Sequence, residues 1–150
     1  MASWRDLEAE APEIAREGRR LIYARGDGEG LLATVRGSDS PPRIHPINVG
    51  IVDGELVAFL FDSAKRLDLV RDGRFAMHTH QDPAAPDELS LRGRAHVVSD
   101  AGVRARAAAA WPFEVDDTYE LFAFDIEVAI LGLRAADEWP PRYQRWTAAR

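Results

Sequence analysis

Asp53-Gly54 stands between two apolar runs, residues 43–52 and 55–61. A two-residue Asp-Gly connection is the strongest short-range hairpin signal, because the turn needs positive φ at both positions and Gly and Asp tolerate it. The dipeptide therefore makes two antiparallel strands neighbours before anything else is known. Residues 31–35 read as a further strand, closed by the turn-rich Gly37-Ser38-Asp39-Ser40-Pro41-Pro42, so the first three strands form a meander. Residues 74–80 give a fourth. Residues 89–97 alternate strictly, with Leu89, Leu91, Gly93, Ala95 and Val97 on one face and Ser90, Arg92, Arg94 and His96 on the other. A long last strand over 119–133 sets Phe122, Phe124, Ile126, Val128 and Ile130 against Asp125 and Glu127.

Helical periodicity interrupts the strands three times. An amphipathic leading helix is expected over 6–24, a short helix over 64–72 with Leu67 and Val70 spaced to face a core, and an Ala-rich helix over 101–110 stopped by Trp111-Pro112. Glycines 26, 28 and 30 read as a hinge between leading helix and barrel, and residues 134–150 as an aromatic tail without a period. Six strands in mostly hairpin order, with helices inserted singly, predict a mainly-β antiparallel barrel rather than a βαβ sheet. The expected organisation is one domain: helix 6–24, barrel 30–133 and tail 134–150.

Composition narrows the chemistry. The absence of cysteine excludes disulfides, zinc-thiolate sites and thiol nucleophiles, and agrees with a reducing cytoplasm. A formal charge of −6 sets the overall field against nucleic acid and acidic membrane surfaces, so any anion site must be local. No apolar run approaches membrane-spanning length, and the expectation is a soluble cytoplasmic protein.

One such local site is marked by Phe61-Asp62-Ser63-Ala64-Lys65-Arg66, where a strand ends and a helix begins with two cations in its first turn. Cations are unfavourable at a helix start unless an anion lies beside them. Ser63, Lys65 and Arg66 are therefore candidate phosphate ligands; the alternative is that Asp62 or Ser63 is a plain N-cap and the two bases are solvated. Thr34, Pro46 and Asn48 are unexpected in apolar runs, and either a planar polar ligand or a strand edge explains them. His78 and His80 share a strand face at chelate spacing, with His45 or Asp82 as possible third ligands, but a surface pair is the commoner arrangement and no metal is expected. Asp116-Asp117 with Glu120 reads as a solvated acidic turn. No Gly-x-Ser-x-Gly elbow marks a hydrolase.

The order of these features, Leu32-Ala33-Thr34-Val35, Arg43-Ile44-His45-Pro46-Ile47, the Asp-Gly hairpin and Ser63-Ala64-Lys65-Arg66-Leu67-Asp68, resembles the pyridoxamine 5′-phosphate oxidase-like superfamily of flavin-binding split barrels over about residues 30–98. The resemblance implies a six-stranded antiparallel split barrel and a homodimer that binds FMN between its subunits. By the same resemblance Thr34 and Val35 line the ring, Pro46, Ile47 and Asn48 flank it, and Ser63, Lys65 and Arg66 hold the phosphate. Asp68 and Gly73 depart from the family's usual motif, and the substrate-binding set of true pyridoxamine phosphate oxidases is absent, so vitamin B6 oxidation is not implied. The implied activity is hydride or electron transfer between the flavin and a small organic substrate, with no required catalytic side chain. Alternatives on the same fold are the deazaflavin F420, its acidic tail met by Arg36, Arg92 and Arg94, or non-catalytic binding of a flavin or haem. Trp139, Tyr143 and Trp146 in the tail also favour dimerisation, being costly to expose on a monomer.

Overall fold

The computed structural model describes residues 1–150. Helices α1 (Trp4–Glu10) and α2 (Pro12–Ile22) lead into strands β1 (Glu29–Thr34), β2 (Arg43–Asn48), β3 (Gly50–Val52) and β4 (Glu55–Leu60). Helix α3 (Ala64–Arg71), β5 (Arg74–Thr79), β6 (Glu88–Val97), α4 (Ala101–Ala109), β7 (Glu120–Leu133) and β8 (Arg142–Thr147) follow. All strands pair antiparallel in the order β2-β1-β5-β6-β7-β4-β3, with β8 on the distal half of β7. The two ends of this order, β2 and β3, are consecutive in the chain and joined by Val49 alone. The sheet therefore curls back on itself and leaves a seam between β2 and β4, which makes it a split barrel.

Eight strands replace the expected six, for two reasons. The run 43–52 is broken at Val49, whose N–H turns to the Gly28 carbonyl at 2.8 Å, so its halves pair with different neighbours. Gly28, at φ +75°, is required there, because a Cβ would stand 1.9 Å from the Val49 carbonyl oxygen. The tail supplies the eighth strand: β8 pairs with Val128–Leu133, and Trp146 is buried with its indole N–H on Glu10 at 3.0 Å. Trp146 thus packs within its own chain, whereas Trp139 remains 78% exposed.

The leading helix is two helices. Pro12 has no N–H to continue α1 and occupies the first turn of α2, where that loss is harmless; a Ser3–Asp6 capping box starts α1. The Asp53-Gly54 hairpin forms with both residues at positive φ, 52° and 81°, and Val52 opposite Glu55. The alternation in β6 holds through Ala95. In β7 it changes phase: Gly93 faces Ile126 while Arg92 faces Val128, leaving Glu127 as a bulge. Beyond it Ala129 and Leu131 sit opposite Leu91 and Leu89 in the core, while Val128, still buried, and Ile130 turn to the other face opposite Arg92 and Ser90.

Helix α3 turns the other way from its apolar spacing. Leu67 and Val70 are 44% and 58% exposed, and the buried positions are Asp68 and Leu69. Asp68 is drawn inward by the side chains of Arg43 and Thr34 on the sheet, and this ionic contact sets the helix face.

Candidate functional site

The first turn of α3 meets β2 at the seam of the barrel. β2 has a strand neighbour only on its β1 side, so Pro46 lies on an edge strand, where its missing N–H costs no ladder bond. The Pro46 carbonyl accepts a hydrogen bond from Lys65 Nζ at 2.6 Å, tying α3 to that edge. Burial alone lowers the Lys65 pKa from its ordinary value, with no carboxylate close enough to offset it. Its ammonium is thus partly desolvated and has one neutral partner for three donors.

Around Lys65 opens a cleft of about 200 Å³ lined by Pro46, Ile47 and Asn48 from β2, Phe59 and Leu60 from β4, Phe61, and Phe113 and Tyr119 from the segment before β7. Four of the candidate residues, Pro46, Ile47, Asn48 and Lys65, come together here. Asn48 also donates its side-chain amide to the Asp27 carbonyl at 3.0 Å.

The other four lie elsewhere. Ser63 is the N-cap of α3, its hydroxyl accepting from the Arg66 N–H at 3.4 Å. Arg66 reaches away from the cleft's centre to the Thr118 carbonyl and the Glu120 carboxylate, each at 2.8 Å. Glu120, read from sequence as part of a solvated turn, is therefore an ion-pair partner. Thr34 is buried and Val35 half-buried, and both border a second hollow, of about 180 Å³, with Pro42, Arg74 and Phe75.

The Thr34 hydroxyl belongs to a buried charge cluster. Asp68, with no solvent exposure, accepts from Thr34 Oγ1 at 2.8 Å and from Arg43 at 2.6 to 3.0 Å through two nitrogens. Burial pushes the Asp68 carboxyl up, but the hydrogen bonds from Arg43 and Thr34 outweigh it and hold the pKa below the usual value. The carboxylate only accepts, so Thr34's single proton is committed to it, and His45 Nε2, 2.9 Å from Thr34 Oγ1, must be the donor of that contact. Burial and the nearby Arg43 and Lys65 lower the His45 pKa, which favours the neutral imidazole carrying its proton on Nε2. His78 Nδ1 lies 2.6 Å from the Thr79 carbonyl, and no group of three or more His, Asp or Glu side chains is placed to share a metal ion.

Sequence reasoning missed the aromatic wall and the Arg43–Asp68 pair. The density of Trp111, Phe113 and Tyr119 in nine residues was a readable signal for the first; the second joins residues 25 apart and has no local signature.

No family model and no curated protein sequence matches the chain. Solved structures do. PhzG from Burkholderia lata, in complex with tetrahydrophenazine-1-carboxylic acid, superposes with a TM-score of 0.68 at 13% identity over 97% of this chain and 90% of that one. A Clostridium acetobutylicum protein related to general stress protein 26, of the pyridoxinephosphate oxidase family, gives 0.63 at 14% over 88% and 92%. The fold is that of the pyridoxamine 5′-phosphate oxidase-like split barrels. A haem-binding protein from Mycobacterium smegmatis shares it with a TM-score of 0.63 at 18% identity; there the match covers 85% of this split barrel but only 55% of the larger chain. At these identities the likeness is one of fold. No helix of the split barrel is long and apolar enough to cross a membrane.

Proposed function

We propose that this chain is a homodimeric FMN-binding oxidoreductase whose cofactor lies in the seam cleft, its phosphate end at the start of α3. The observation that carries the reading is Lys65: a partly desolvated ammonium without a carboxylate, beside an aromatic cleft and the edge of β2. The donors suit a phosphate. The backbone N–H groups of Ala64 and Lys65, at the first two positions of α3, have no acceptor in their own helix, and Lys65 adds a point charge. Arg66 contributes by fixing the segment that overhangs the cleft rather than by touching the anion.

FMN, when bound, supplies hydride and electron transfer at its ring, and the chain's own residues bind, orient and shield it. Ile47 and Pro46 offer an aliphatic floor and Phe59, Phe61, Phe113 and Tyr119 the walls. The cleft of about 200 Å³ falls short of the roughly 300 Å³ at which pockets for drug-sized ligands begin, so one chain encloses only part of such a cofactor. A second copy would complete it. The outward face of β1 and β2 next to the cleft carries Leu31, 38% exposed, opposite Pro46, and Ile44, 73% exposed, opposite Ala33, an apolar surface suited to a subunit contact.

The exposed Arg92 and Arg94 on β6 support a second reading, in which F420 with its acidic tail replaces FMN. Mass spectrometry of the small molecule released from purified protein, followed by competition between FMN and F420, tests both. Release of FMN, or its preferential binding, supports the first reading. Indifference to both cofactors would overturn the proposal.

A further inference from the structure

The segment from Trp111 to Glu120 lies outside the stretch that carries the family resemblance, yet it forms a wall of the cleft. Phe113 and Tyr119 line it, with ring centroids 6.3 Å apart, and Tyr119 meets Phe61 at 6.0 Å, so three rings form an aromatic corner. The corner is not closed by the protein's own packing. Phe61 is 53% and Phe113 42% exposed, whereas Trp111 is buried behind Phe59 at 5.2 Å.

Arginines from two helices pin the segment in place. Arg104 of α4 donates to the carbonyls of Asp116 and Tyr119, each at 2.8 Å, and lies 5.1 Å over the Phe59 ring. Arg66 of α3 holds the Thr118 carbonyl and Glu120. Three carbonyls within four residues are thus immobilised, and the half-exposed rings sit on a preorganised strap whose ordering cost is met before a ligand arrives.

We propose that Phe113 and Tyr119 are the ligand-selecting residues of the cleft, Tyr119 stacking on the face of a planar heterocycle whose anionic end is held by Lys65, and Phe113, tilted 50° from it, packing against the heterocycle's edge. The inference rests on the flavin reading above and adds which side chains recognise the ring. Stacking on aromatic side chains retains any ligand with a π-face and rejects an anion without one.

The test is a titration of FMN into the wild type, Tyr119→Phe and Phe113→Ala, reading affinity and the fluorescence lifetime of the bound flavin, with inorganic phosphate as competitor. An excited flavin takes an electron from a phenol in van der Waals contact but not from a benzene ring. The expected result is strongly quenched FMN in the wild type and a longer bound lifetime at preserved affinity in Tyr119→Phe. Phe113→Ala is expected to weaken FMN on the order of tenfold while leaving phosphate competition unchanged. Bound FMN that is bright in the wild type, or equally short-lived in Tyr119→Phe, would overturn the assignment while leaving FMN binding intact. Equal weakening of FMN and phosphate by Phe113→Ala would also overturn it. Failure of the wild type to bind FMN at all would instead overturn the flavin reading, and this one with it.

Discussion

Helix α3 carries two charges three residues apart that the fold treats in opposite ways. Asp68 is fully buried, and Arg43 and Thr34 saturate it. Lys65 is half-buried, keeps a single neutral acceptor and borders an open aromatic cleft. A buried charge whose partners are all supplied by the protein belongs to the scaffold, because removing any partner strands the rest. A partly desolvated charge with spare donors has room for a further acceptor, and the proposed function assigns that place to a ligand.

The contrast breaks most severely at Asp68. Asp68→Ala leaves the Arg43 guanidinium without its carboxylate and the Thr34 hydroxyl with His45 as its remaining partner, and is expected to cost about 3 kcal/mol, the low end for a broken buried pair because Arg43 keeps contact with water, read by urea denaturation. A loss below about 1 kcal/mol would place the pair with ordinary surface bridges.

Acid titration sharpens the same point. The folded pKa of Asp68 lies below the unfolded value of about 3.9, so its stabilisation is complete above that pH and declines as pH falls through the lower folded value. Wild-type stability should drop across this acid window, and Asp68→Asn should flatten the drop. Parallel curves would deny Asp68 its role.

Smaller effects are expected on the solvent side of α3. Arg66→Gln removes a half-exposed pair with Glu120 and should cost under about 1 kcal/mol of stability, while weakening FMN through the loosened strap. An unchanged FMN affinity would show that the strap does not depend on Arg66. Leu67→Gln should stay within about 0.5 kcal/mol of wild type by thermal melt, since Leu67 faces water. A core-sized loss would return Leu67 to the interior that its spacing suggests.

Much of the architecture was legible because it is local. Asp53-Gly54 specifies its turn by backbone conformation, and β6 declares its faces by strict alternation through Ala95. What stayed hidden depends on partners distant in the chain. Leu67 and Val70 are spaced for a core, but the Asp68–Arg43 contact rotates the helix away from them. The β7 alternation continues without a mark in sequence across Glu127, where pairing with β6 inserts a bulge. β8 has no apolar period of its own and becomes a strand because β7 offers it an edge. At the site, the Lys65–Pro46 neighbourhood could be anticipated from the edge proline and the basic helix start. Arg66 could not be assigned its partners, because the Thr118 carbonyl that holds it lies 52 residues away.

The central claim, that Lys65 at the seam is the anchor of a flavin phosphate, is tested most directly by titrating FMN into wild-type protein and Lys65→Met and following the flavin absorbance. The account predicts a saturable spectral shift in the wild type and affinity weaker by at least about tenfold in the variant, the loss of one charged hydrogen-bond donor. Superimposable curves, or no shift in either protein, would contradict it.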